Sequence, residues 1–173
     1  MNILKPLLVG IFGLFIVVTL ISLFIPSRIN TIRAVPITAS RQAIMTQVAV
    51  LENWKNWHPV FKEAANNISI LPGTKNGLQE AAWSSRGHES RIVMNKIDST
   101  AVYFTLVSGS ERPSDHVISI QPTDEPATQQ VQWQSITHLR WYPWEKFSGI
   151  FIEKISGPGY EEALNSLKAY VEK

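Results

Sequence analysis

The chain has 173 residues, 45% of them hydrophobic and only 17% charged, with 16 Lys and Arg against 14 Asp and Glu and no cysteine. So high an apolar share excludes a mainly disordered chain, and the missing cysteine removes disulfides, thiolate nucleophiles, Cys-based zinc sites and iron–sulfur clusters. A net charge of +2 is too small for a nucleic-acid footprint, and the length suits one core-forming domain with an appendage.

The appendage comes first. Leu7 to Ile25 carries no charge, and its only polar side chains are Thr19 and Ser22. As a helix it is about 28 Å long, close to the roughly 30 Å hydrocarbon core of a bilayer. It therefore reads as a transmembrane helix, making residues 1–27 a membrane anchor. A cleaved signal peptide has an apolar core of about 7 to 15 residues and a small-x-small site, and Ile25-Pro26-Ser27-Arg28-Ile29-Asn30 offers none. Lys5 on one side, with Arg28, Arg33 and Arg41 on the other, leaves the side occupied by residues 28–173 undetermined. Gly10 and Gly13 are three apart, so there is no GxxxG pairing motif, and a monomer is expected.

From Arg28 to Thr38, Ile29, Thr31, Arg33, Val35 and Ile37 alternate as in a strand. Ser40 offers an N-cap to a helix carrying Ala43, Ile44, Val48 and Leu51. A second short helical segment runs through Trp54 and Trp57 until Pro59, which disfavours helix in the residue before it. Six strands are then predicted: Ile68 to Leu71, Gln79 to Ser85, Glu89 to Lys96, Ala101 to Ser108, Asp115 to Gln121 and Gln129 to Leu139. The gaps between them are hairpin-length and rich in Gly, Pro, Asn and Asp, which implies an antiparallel meander. Trp144, Phe147, Phe151 and Ile155 return to helical spacing. Gly157-Pro158-Gly159 is expected to break or kink that helix, and Tyr160, Ala163, Leu164, Leu167 and Tyr170 form a further apolar stripe. The fold class is therefore α+β, with a curved antiparallel sheet of about seven strands around a long C-terminal helix.

This order resembles the helix-grip fold of the SRPBCC superfamily, which includes START and Bet v 1, and in particular its bacterial polyketide cyclase/dehydrase-like branch. The segments carrying the resemblance are Val35-Pro36-Ile37-Thr38-Ala39-Ser40, Leu51-Glu52-Asn53-Trp54-Lys55-Asn56-Trp57, Val131-Gln132-Trp133 and Tyr160 through Lys168. It covers residues 28–172. The resemblance implies a pocket between sheet and helix for a hydrophobic or lipid-like small molecule, and it implies no cofactor and no shared catalytic motif.

By alternation and helical spacing, that pocket would be lined by Trp83, Met94, Phe104, Ile118, Trp133, Phe147, Phe151 and Leu164, residues that equally suit a filled core. Trp141, Tyr142 and Trp144, flanked by Arg140 and Lys146, suit either a membrane headgroup zone or packing where the last helix begins. Catalytic signals are sparse. No metal site is expected, because His58, His88, His116 and His138 are scattered without ligand spacing. His116 shares a strand face with Ile118 and Ile120 and is the best single candidate for a general base. Its neighbour Asp115 points to the other face, and Glu89 pairs with Arg91 at i, i+2. Three readings stay open: a membrane-anchored domain binding a hydrophobic or lipid-like molecule, a cyclase/dehydrase-type enzyme using His116, Glu89 or Asp115, and an interaction module with a filled core.

Overall fold

The computed structural model of the chain describes residues 4–64, 67–72, 78–85, 87–109 and 112–173. The turns expected through 73–77, at Arg86 and at 110–111 lie outside the described residues. An apolar helix α1 (Leu4–Leu23) leads into strand β1 (Arg28–Thr38). Helix α2 (Arg41–Ala49) follows, capped by Ser40, whose Oγ accepts from the Ala43 amide at 3.2 Å. A 3-10 turn (Leu51–Asn53) and two short helices, α3 (Trp54–Trp57) and α4 (Pro59–Glu63), precede the meander of β2 (Ile68–Pro72), β3 (Gln79–Ser85), β4 (His88–Ile97), β5 (Ala101–Ser108), β6 (Ser114–Pro122) and β7 (Thr128–His138). Helix α5 (Pro143–Val171) closes the chain.

The strands form one antiparallel sheet in the order β1-β7-β6-β5-β4-β3-β2, so the first strand returns beside the last. A bulge between Met94 and Lys96 shifts the β4–β5 register, and such an extra residue bends and twists a sheet. The concave face holds α5. This is the helix-grip α+β architecture.

Pro59 does end α3, and it also begins α4, where its fixed φ and missing N–H suit the first helical position. The break expected at Gly157-Pro158-Gly159 does not occur, because α5 runs continuously through Pro158. Gly157 lies against the guanidinium of Arg33, which reaches α5 from β1. Arg33 then pairs with Glu153 at 3.4 Å and Glu161 at 3.8 Å, one on each side of the proline.

The segment Leu51 to Trp57 has a definite structural job. The carbonyls at the end of α2 lack intrahelical partners, and side chains of this segment supply them. Asn53 Nδ2 donates to Thr46 O at 2.8 Å, Trp54 Nε1 to Val48 O at 3.0 Å and Trp57 Nε1 to Gln47 O at 3.2 Å. With their N–H groups satisfied, the two indoles are fully buried, alongside Phe61. Trp54 meets Phe104 edge-on at 5.3 Å and Trp133 at 6.1 Å. Leu164 and Leu167 of α5 complete this solid end of the domain. Trp54→Ala should lower the unfolding free energy of the full chain in detergent by about 3–5 kcal/mol. Trp144→Ala, at an exposed site, should change it by less than about 1 kcal/mol, and denaturant titration followed by circular dichroism compares the two.

Candidate functional site

Along the concave face, the inward-pointing residues change character from one end to the other. Val102, Ile118 and Trp133 stand side by side at the solid end. One step on come Phe104, His116 and Ser135, and beyond them Leu106, Ser114 and Thr137. Helix α5 changes in parallel. Its buried Leu167, Leu164 and Ala163 give way to Tyr160, then to Ser156, Ile152 and Ser148. Where small hydroxyl residues of the sheet face small residues of the helix, the two layers cannot fill the space between them. A cavity of about 610 Å³ results, inside the range typical of small-molecule sites. Leu106, Leu139, Ile152 and Ile155 give it apolar wall, while Ser114, Thr137, Tyr160, Arg112 and Arg140 bring polar groups.

Glu145, in the first turn of α5, crosses the rim. It pairs with Arg112 Nε at 2.9 Å and accepts from the Arg140 amide at 2.9 Å, which ties the approach to β6 to the start of the helix. A carboxylate is favourable at a helix N-terminus.

His116 sits at the boundary between the solid core and the cavity, buried and stacked on Phe104 at 5.0 Å. Its two nitrogens have different partners: Trp133 Nε1 lies 3.1 Å from Nδ1, and Ser114 Oγ lies 2.8 Å from Nε2. An indole N–H can only donate, so Nδ1 must be the acceptor. The proton then resides on Nε2 and is donated to Ser114 Oγ. A second ring proton would face the indole N–H directly. Burial lowers the His116 pKa to about 4, against a smaller opposing effect of Asp115. The imidazole is thus neutral, its lone pair is committed, and Ser114 directs its own proton toward the cavity or toward Leu106 O, 3.5 Å away. His58 is a second neutral imidazole, stacked on Trp54 at 5.3 Å with Nδ1 sealed and unpartnered, and burial lowers its pKa to about 3.

The residues singled out from the sequence fall into distinct places. Met94, Phe104, Ile118, Trp133 and Leu164 are buried in the solid core and do not line the cavity. Strand alternation, and helical spacing for Leu164, turn these side chains inward, where their bulk fills the space. Phe151 is 57% exposed on the outer face of α5, and Phe147 is half-buried. Asp115 accepts from Thr105 Oγ1 at 3.1 Å on the convex face, so it cannot orient His116. Glu89 and Arg91 border a second depression of about 540 Å³ with Trp83, Ser84 and Val107, which mixes residues of both sheet faces at the end of β3 to β5 and is not covered by α5. The described residues contain no cluster of three or more His, Asp or Glu able to hold a metal ion. Alternation went unexploited for Ser108, Ser114 and Thr137, whose inward phase and small size were the available signal.

The sequence matches no protein-family model and no curated protein. Its fold is nevertheless shared with solved structures. A START superfamily protein from Mycobacterium smegmatis superposes with a TM-score of 0.56 at 15% identity, over 83% of this chain and 97% of that one. A Thermobifida fusca protein gives 0.63 at 16% identity, over 82% and 92%. The di-domain ARO/CYC protein StfQ from the steffimycin biosynthetic pathway gives 0.64 at 9% identity, over 84% of this chain and 51% of its own length. The chain shares their START-like fold, which is also that of polyketide cyclase-like proteins.

Two outcomes follow for the histidines. In the unfolded chain both titrate near 6.5, so between that value and about 3 to 4 the unfolded state holds protons that the folded state does not. Stability should therefore fall on acidification below about pH 6.5, by up to about 1.4 kcal/mol per pH unit for each ring. Urea titrations at pH 7 and pH 5 measure this, and equal midpoints would contradict two buried neutral imidazoles. Trp133→Phe frees the lone pair on Nδ1, so the His116 pKa should rise in a proton NMR titration of the ring.

Proposed function

We propose that the chain is a membrane-tethered binding domain for an amphipathic, lipid-like small molecule, held in the cavity between the sheet and the N-terminal half of α5. The carrying observation is the make-up of that cavity: apolar walls from Leu106, Leu139, Ile152 and Ile155, with the hydroxyls of Ser114 and Tyr160 at its inner end, held only by long bonds to Leu106 O at 3.5 Å and Ser135 Oγ at 3.4 Å. An elongated apolar group fits the walls, and a carbonyl or hydroxyl suits those two hydroxyls. Helix α1 supports the tether, since Lys5–Leu23 is long and apolar enough to cross a bilayer, with a mean hydropathy of 2.6. A ligand that partitions into lipid is concentrated beside a domain anchored there.

The reading is one of binding without chemistry. A cyclase-type mechanism needs a base with a free lone pair at the cavity, and His116 has given its own to Trp133. Glu145, the carboxylate at the rim, is held by Arg112.

The test uses the full chain in nanodiscs containing a diazirine-bearing fatty acid. Irradiation should attach the probe to peptides spanning Leu106 or Leu139, on the sheet side of the cavity, in addition to α1. Ser156→Trp, which fills the cavity, should abolish the former and leave the latter. Labelling that spares Leu106 and Leu139 in the unsubstituted chain would refute the binding site.

A further inference from the structure

Half of α5 carries an apolar face that the described residues leave largely exposed. At about 100° per residue, Trp144, Phe147, Phe151 and Ile155 fall within about 80° of one another. Of these Trp144 is 64% exposed and Ile155 is 76% exposed, with Ile150 exposed beside them. The opposite side of the same helix is buried: Lys146, Gly149 and Gly157 face the sheet, and a Cβ at Gly149 would lie 2.3 Å from Leu139 Cδ1. The exposed stripe is therefore no accident of an unpacked helix. Trp141, also exposed, extends it at the N-terminal end.

Its position relative to α1 identifies what lies against it. Lys146, nearly fully buried, donates from Nζ to Ile25 O at 2.7 Å and to Ser27 Oγ at 2.6 Å. An ammonium there suits the negative end of a helix dipole. Burial along α1 is confined to its last turns, at Val18, Thr19 and Ser22, where it meets α5. The 19 residues Lys5–Leu23 rise about 28 Å, against a hydrocarbon core of roughly 30 Å. No length is left over, so the end of α1 sits at the boundary between acyl chains and headgroups, and Lys146 is fixed at that level with it.

We propose that the N-terminal half of α5 lies in the headgroup region of the bilayer that α1 enters, with its apolar stripe toward the acyl chains, so that the cavity opens directly onto lipid. This rests on the tether of the preceding section. The stripe runs between the two features it would connect. Lys146 and Ile150 lie on the edge nearer α1, while Ile152 and Ile155 on the other edge line the cavity. Aromatic rings of Trp141, Tyr142 and Trp144 suit the interface. Exposed Lys154 and Arg140 can place their charges at phosphate level while their stems lie along apolar surface.

The chain has no cysteine, so single-Cys variants of the full chain in liposomes can be labelled with a nitroxide at one site each. Four positions decide the matter: Val9→Cys within the span, Phe151→Cys and Ile155→Cys on the stripe, and Lys96→Cys on the sheet's exposed surface. Power saturation should show Phe151 and Ile155 open to oxygen and shielded from a water-soluble nickel chelate, at shallower depth than Val9, with Lys96 open to nickel. Nickel access at Phe151 and Ile155 equal to that at Lys96, with Val9 still in lipid, would overturn the docking while leaving the tether intact. Nickel access at Val9 would overturn the tether and the docking together. Spin–spin broadening at Phe151 would assign the stripe to a second copy and overturn the proposal.

Discussion

Three hydrogen bonds at the end of α2 determine where this domain is solid and where it is hollow. Trp54 and Trp57 donate to the Val48 and Gln47 carbonyls, which would otherwise be orphaned, Asn53 adds a bond at the exposed Thr46 carbonyl, and together they fix α3 against the sheet. The indoles cannot be replaced by apolar rings of similar size without leaving buried acceptors unpaired, a loss worth about 1–3 kcal/mol each. Once they are seated, Phe61, Phe104 and Trp133 pack around them, and the concave face of the sheet is filled at that end. The other end has no equivalent plug. Tyr160, stacked on Trp133 at 5.1 Å, marks the border.

The hydrogen-bond chain at that border runs in one direction. In serine–histidine–carboxylate systems the third member accepts from the imidazole and so leaves its other nitrogen free to take a proton. Here the third member is an indole, which donates, and the direction is reversed. Trp133 gives to His116, His116 gives to Ser114, and Ser114 gives to Leu106 O at the edge of the cavity. The arrangement leaves a hydroxyl donor on a long, 3.5 Å bond at the cavity wall and cannot activate a nucleophile. Pairing within the core thus supplies polarity to a surface that would otherwise be only apolar.

Much of this was legible from spacing alone. The strand β1 and the six strands of the meander are delimited by turn residues, and in β1 and β6 burial alternates because one face packs and the other meets water. The candidate site was harder to read. Alternation says which side chains point inward, but it says nothing of whether the space ahead of them is occupied, and large residues such as Phe104 and Ile118 fill the space they face. The cavity was marked instead by inward residues too small to reach across, Ser114 and Thr137 opposite Ser148 and Ser156. The pairing of Lys146 with Ile25 O and Ser27 Oγ joins residues some 120 positions apart and has no local signature. The proline in α5 misled for a related reason. Pro158 weakens the helix locally, yet Arg33, supplied by a distant strand, spans the weak point by pairing with both Glu153 and Glu161.

The link between α1 and β1 is short, and it is held at both ends. Only Phe24 to Ser27 separate the two elements, Lys146 grips Ile25 and Ser27, and the Leu139 amide donates to Ser27 O at 2.8 Å. Such a joint behaves as a bracket and not as a leash. A leash lets its load sample many orientations and reach distant surfaces, whereas a bracket presents one side permanently. On the proposed function, a domain mounted in this way would exchange its ligand with the membrane that carries it, withdrawing a molecule from one leaflet and presenting it locally, and would not shuttle cargo to another.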